Sequence, residues 1–149
     1  MILKKQNLKI ATILPYKENY TFDKASAASL WVAEFYKKSK FKKNIYIYGF
    51  TKSKKYLTNN YTNINLKSLK SKLISTTKEY IKKLTKEILN KKFDLIEIHN
   101  RPLILTGLSK KIDKKFFFYF HNDPLSMKGS KTVNERLYIL SKVEKLIFV

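Results

Sequence analysis

The chain contains no cysteine. That excludes disulfides and thiolate chemistry, and it fits a reducing compartment. Glycine is nearly as scarce, with Gly49, Gly107 and Gly129 the whole complement. No G-x-G-x-x-G follows the first strand, which disfavours ordinary dinucleotide and P-loop binding. There is no G-x-S-x-G elbow of the α/β-hydrolase kind. Nor does an acidic pair follow the first strand, as a phosphoacceptor receiver domain would need. Only His99 and His121 offer imidazole, and with no further His or Cys to join them no metal site is expected. No apolar run approaches the roughly 18 residues of a membrane span. The start MILKKQNLKIATILPY lacks a signal-peptide cleavage pattern, so the expected location is cytoplasmic.

Charge of one sign is abundant. The net charge is +21 over 149 residues, enough chain for one domain with a real core. Yet of 32 Lys and Arg residues only Arg101 and Arg136 are arginine, the planar donor that phosphate and base recognition favours. Lys, Asn, Ile, Tyr and Phe, all served by A/T-rich codons, are in excess together. Coding bias spread over solvated faces explains this, and no specific nucleic acid is expected as partner. The run Phe35–Lys43, aromatic and basic, reads as a solvated face or as a peripheral contact with an anionic membrane at its inner surface.

Short apolar runs closed by breakers mark buried strands of a parallel sheet. The pattern predicts strands at Lys9–Leu14, Asn44–Phe50, Asn63–Leu66, Asp94–Ile98, Lys115–Phe120 and Leu146–Val149. Helices are expected from an Asp23 cap to about Lys38, over Leu69–Asn90 and Leu103–Lys111, and from a Thr132–Glu135 capping box to about Val143. A lysine-rich loop is expected at Thr51–Thr62. Strand–helix alternation gives an α/β, doubly wound, mainly parallel, Rossmann-like sheet of order 3-2-1-4-5-6. A chain that stops inside its sixth strand is expected to be the first half of something longer.

Ligands of such sheets bind beyond the carboxyl ends of the strands, and there the polar residues gather. Two apolar runs end in histidine-led, proline-closed clusters, His99-Asn100-Arg101-Pro102 and His121-Asn122-Asp123-Pro124. A histidine so placed can simply bond a loop carbonyl; two in equivalent positions suggest a pocket for a hydroxyl-rich ligand. Glu97 lies within an apolar strand and needs a partner, for which Arg101 is the natural choice. Tyr16, Lys17 and Glu18 follow the first strand, and Ser26 lies in the small-residue stretch Ala25–Ala28 that permits close approach. Lys128, Ser130 and Lys131 precede a helix N-terminus that favours an anion.

Lys17-Glu18-Asn19-Tyr20 with Ala25–Leu30, EIHNRP at Glu97–Pro102, FHNDPLSMKGSKT at Phe120–Thr132, Glu135-Arg136 and the final LIFV together resemble a known family. It is the N-terminal domain of bacterial family 4 glycosyltransferases of the GT-B fold. The resemblance covers nearly the whole chain, with the HNRP and HNDPL blocks its most specific part. It implies a retaining transfer, metal-independent and without a cofactor, of a sugar from a nucleotide-sugar donor. The acceptor would be lipopolysaccharide, another surface glycan or a lipid-linked sugar. It further implies an acceptor-side role for this domain, with His121 beside the transferred sugar. A separate C-terminal domain, absent here, would grip the nucleotide, so this chain alone is expected to be inactive. The chain departs from the family after strand one, where Glu18-Asn19 and Lys24-Ala25-Ser26 stand in place of glycines. The alternative is a non-catalytic basic α/β module that binds nucleic acid or anionic membrane.

Overall fold

In a computed structural model, residues 8–66 and 75–149 are described. The elements are β1 (Ile10–Ile13), α1 (Ala27–Lys38), β2 (Ile45–Gly49), β3 (Tyr61–Asn63), α2 (Thr76–Lys91), β4 (Leu95–His99), α3 (Pro102–Ser109), β5 (Lys115–Phe120), α4 (Val133–Lys142) and β6 (Lys145–Phe148). The strands form one sheet of order β3-β2-β1-β4-β5-β6, and every pairing is parallel. This is the expected Rossmann-like arrangement. The strand order reverses between β1 and β4, the switch point where open α/β sheets hold ligands.

Alternation along the strands sends residues to two unlike faces. Ala11, Ile13, Ile96, Ile98, Phe116, Phe118 and Phe120 meet α2, α3 and α4 through Tyr80, Leu84, Ile88, Ile104, Leu108 and Ile139. Ile10, Leu14, Ile47 and Leu95 face α1 through Val32 and Ala33. On that α1 face, the in-register pairs Thr12–Glu97 and His99–Tyr119 put polar atoms where the core would otherwise be apolar.

Several boundaries differ from the sequence expectation. Ser26, not Asp23, caps α1, its hydroxyl accepting from the Ser29 N–H at 3.2 Å. The chain before it cannot turn helical, because Thr21 bridges Tyr56, and Phe22 N–H bonds the Lys55 carbonyl. The third strand starts at Tyr61, inside the expected loop; buried Tyr61 stacks on Tyr20 at 4.7 Å and draws that segment onto the sheet. The described part of the long helix opens at a Ser75 cap and runs to Lys91, while Leu69 and Leu73 lie outside the described residues. The Thr132–Glu135 capping box is formed in full. Among the described residues no helix is long and apolar enough to cross a membrane.

Candidate functional site

The period of two that buries β4 and β5 also assembles the site. Glu97 and His99 of β4, and Tyr119 and His121 of β5 and its continuation, all point to the α1 face. Glu97 is buried, and its carboxyl accepts from Thr12 Oγ1 at 2.8 Å and from the Tyr119 hydroxyl at 3.1 Å. The predicted Glu97–Arg101 pair is not formed. Arg101 lies past the end of β4, beyond reach of a side chain pointing at α1 from within the strand. Burial pushes the Glu97 carboxyl above its ordinary range, and the hydrogen bonds from Thr12 and Tyr119 only partly offset it.

His99 is 1% exposed and lies parallel to Tyr119, their ring centroids 4.4 Å apart. Its Nδ1 lies 2.9 Å from His121 Nε2. Trp31 of α1 roofs the group, its ring 5.7 Å from His99, 5.6 Å from Tyr119 and 5.6 Å from His121. Burial, reinforced by the neighbouring His121, holds His99 well below the ordinary imidazole range. His121 is half-buried at the rim; burial lowers it too, against the pull of the Glu18 carboxylate in the loop after β1. Both rings are therefore neutral at pH 7.

Asn100 turns the chain out of β4 in the left-handed region, at φ 51°, which asparagine tolerates better than most residues. Its N–H bonds the Tyr119 carbonyl at 2.7 Å, and its Oδ1 accepts from the His121 N–H at 3.3 Å. Arg101 then crosses the switch point to the loop after β1, donating from Nη2 to the Tyr16 hydroxyl at 3.0 Å with its guanidinium over the Tyr16 ring. Burial would raise the Tyr16 phenol, but donors from Thr77 and Arg101 with the Arg101 charge outweigh it, and the net direction is down. Arg101 Nε is buried without a hydrogen-bond partner among the described residues.

Sequence-predicted residues thus converge in two linked groups, His99, Asn100 and His121 on β4 and β5, and Tyr16 with Arg101 across β1 and β4. Glu97 supports the first from below through Tyr119, and Glu18 acts on it from the rim. Lys17 borders a neighbouring polar pocket of about 320 Å³ at the ends of β1 and β2, with Tyr16, Asn19, Asp23, Phe50 and Thr51.

Other predicted residues serve local structure. Ser26 caps α1. Asp123 accepts from the Leu125 N–H at 2.9 Å and caps a single 3-10 turn. Ser130 is buried, its hydroxyl donating to the Pro124 carbonyl at 2.6 Å. Asn122 and Lys128 are exposed. Among the described residues, none of these four after β5 hydrogen-bonds to the histidine pair, and no group of three or more His, Asp or Glu could hold a metal ion.

Thr12, Trp31 and Tyr119 were not singled out from the sequence as site residues. Thr12 and Tyr119 carried the signal that marked Glu97, a polar tip inside an apolar run. Trp31 fits the buried stripe of α1, and nothing in its spacing tells a roof over histidines from core packing. No protein-family model matches the chain, and no curated protein sequence matches it.

Proposed function

We propose that this chain forms the acceptor side of a retaining glycosyltransferase, one that moves a sugar from a nucleotide-sugar to a surface glycan or lipid-linked acceptor. The observation that carries the reading is the convergence of neutral His121 with His99, Asn100, Arg101 and Tyr16 at the carboxyl edge of the sheet, at its switch point. Such a rim offers imidazole, amide, guanidinium and phenol groups, which together donate to and accept from sugar hydroxyls. The aromatic faces of Trp31 and Tyr16 add apolar walls of the kind that line small-molecule sites. The resemblance of the EIHNRP and FHNDPLSMKGSKT blocks to family 4 glycosyltransferases supports the same conclusion. In this reading His121 hydrogen-bonds the transferred sugar, no metal is needed, and a second domain grips the nucleotide diphosphate. The domain works in the cytoplasm, its lysines giving at most a weak peripheral attraction to the inner face of the membrane.

The test is His121→Ala in the two-domain enzyme, assayed for sugar transfer from nucleotide-sugars. Turnover should fall by about 10- to 1000-fold, the scale for one positioned hydrogen bond made in the transition state. Stability should drop by only about 1 kcal/mol, for the bond to His99. Unchanged turnover would sink the proposal.

A further inference from the structure

We infer that the polar pocket at the ends of β1 and β2 is a site for a phosphate monoester carried on a sugar, held by Lys17, Lys24 and Lys52. Its volume of about 320 Å³ lies near the lower end for small-molecule sites, which suits a single substituted sugar ring. The walls come from two loops far apart in sequence, and the two are fastened to each other. Phe22 N–H bonds the Lys55 carbonyl at 3.2 Å, Leu57 N–H bonds the Tyr20 carbonyl at 3.2 Å, and Thr21 bridges Tyr56. Asn63 of β3 grips the second loop twice. Its Oδ1 accepts from the Thr51 N–H at 2.8 Å, and its Nδ2 donates to the Thr51 carbonyl at 3.0 Å. The concavity is therefore preformed by main-chain bonds.

Lys17 and Lys24 enter from the first loop and Lys52 from the second, and all three line the pocket. Among the described residues none of them makes an ion pair. Lysines on a convex face are only solvated charge. Three around one concavity repel one another, and an anion between them relieves that repulsion. One carboxylate lines the same pocket, that of Asp23, and the Thr21 side chain holds it below its ordinary range, so it stays charged. Glu18, the other carboxylate of the first loop, acts on His121 instead. Three cations less one carboxylate leave two positive charges. A phosphate monoester carries about −1.5 to −2 at pH 7, and lysine serves phosphate well as a point charge. Tyr16 links this pocket to the histidine rim, since it lines the one and accepts from Arg101 Nη2 at 3.0 Å beside the other. A phosphate held here would anchor the acceptor while another of its hydroxyls meets the transferred sugar. That last step rests on the sugar-transfer reading; the anion site itself does not.

Titrating the 149-residue chain with glucose 6-phosphate, followed by ¹H–¹⁵N correlation spectra, tests the site. The amide signals of Asn19, Thr51 and Ser53 should shift, while glucose at the same concentration leaves them in place. Lys24→Gln combined with Lys52→Gln should weaken binding about tenfold or more, the scale of a charge-assisted hydrogen bond. Lys38→Gln combined with Lys40→Gln removes the same charge from exposed positions around the end of α1, and should weaken it by less than about twofold. Equal losses in the two double variants, or no loss in a natively folded pocket variant, would overturn the inference and leave general attraction to a chain of +21. Two comparisons need only the parent chain and hold even if the variants fail to fold. Glucuronate binding as tightly as the ester would overturn the charge match, and inorganic phosphate binding as tightly would overturn the part given to the sugar ring. The expected binding together with full turnover by His121→Ala in the two-domain enzyme would refute sugar transfer and leave the anion site standing.

Discussion

At the scale of single residues, the site holds buried groups whose ionisation works against folding, in opposite senses for acid and base. His99 is held below its ordinary value of 6.5, so the unfolded chain binds a proton there that the native state refuses. Its contribution to stability is complete above pH 6.5 and is lost as the pH falls toward its folded value. The loss steepens below pH 6.5, as the unfolded chain takes up the proton that the buried ring refuses. Glu97 runs the other way. Its folded value lies above 4.5, so its contribution is complete below pH 4.5 and is lost as the pH rises through the folded value. Urea unfolding at a series of pH values should show stability falling from pH 6.5 to 5.5, with the fall reduced in His99→Asn. A fall as large in His99→Asn as in the parent would mean that His99 is not held neutral. Glu97→Gln, which keeps the shape and loses the charge, should raise the urea midpoint at neutral pH; an unchanged midpoint would mean that Glu97 ionises in place at no cost.

At the scale of elements, strand ends and helix starts are set by local hydrogen bonds that can be removed one at a time. The α4 start is the clearest, with Thr132 Oγ1 accepting from the Glu135 N–H at 3.2 Å and Glu135 Oε2 accepting from the Thr132 N–H at 3.0 Å. Thr132→Ala should lower stability by about 1 kcal/mol, or a few degrees in melting temperature for a domain of this size. A melting temperature equal to the parent's would show that the cap adds nothing. Trp31 makes the same point for α1. The helix that covers one side of β1 also carries the side chain that shields the imidazoles, so packing and site share one element.

At the scale of the whole molecule, the charge of +21 opposes the compact state. The ion pairs Lys37–Glu34, Lys83–Glu79, Lys91–Glu87 and Lys115–Glu144 are all partly exposed and offset little of it. Added salt screens that repulsion, with a Debye length falling from about 30 Å at 0.01 M to about 10 Å at 0.1 M. The melting temperature should therefore rise with sodium chloride over that range; a fall would mean that attractive pairs dominate. The same excess should give weak attraction to anionic vesicles that vanishes at physiological salt. Micromolar or tighter binding at physiological salt, to those vesicles or to duplex DNA, falling steeply as salt rises further, would instead favour the basic binding module.

The strand order, and the shared edge at which His99 and His121 end their strands, were legible in the chain itself, because both rest on local regularities. Buried parallel strands need unbroken apolar runs, proline ends them, and right-handed crossovers leave few ways to order six strands. His99 and His121 could be placed at one edge for that reason. Partners could not be read, since they depend on pleat and register across strands far apart in sequence. Glu97 looked suited to Arg101, four residues on, yet it bonds Thr12, 85 residues away, and Tyr119, because the pleat turns it toward α1 while Asn100 sends Arg101 back over β1. Likewise only the folded sheet shows that the two histidines touch, and that one of them is closed off beneath Trp31 while the other is left at the rim.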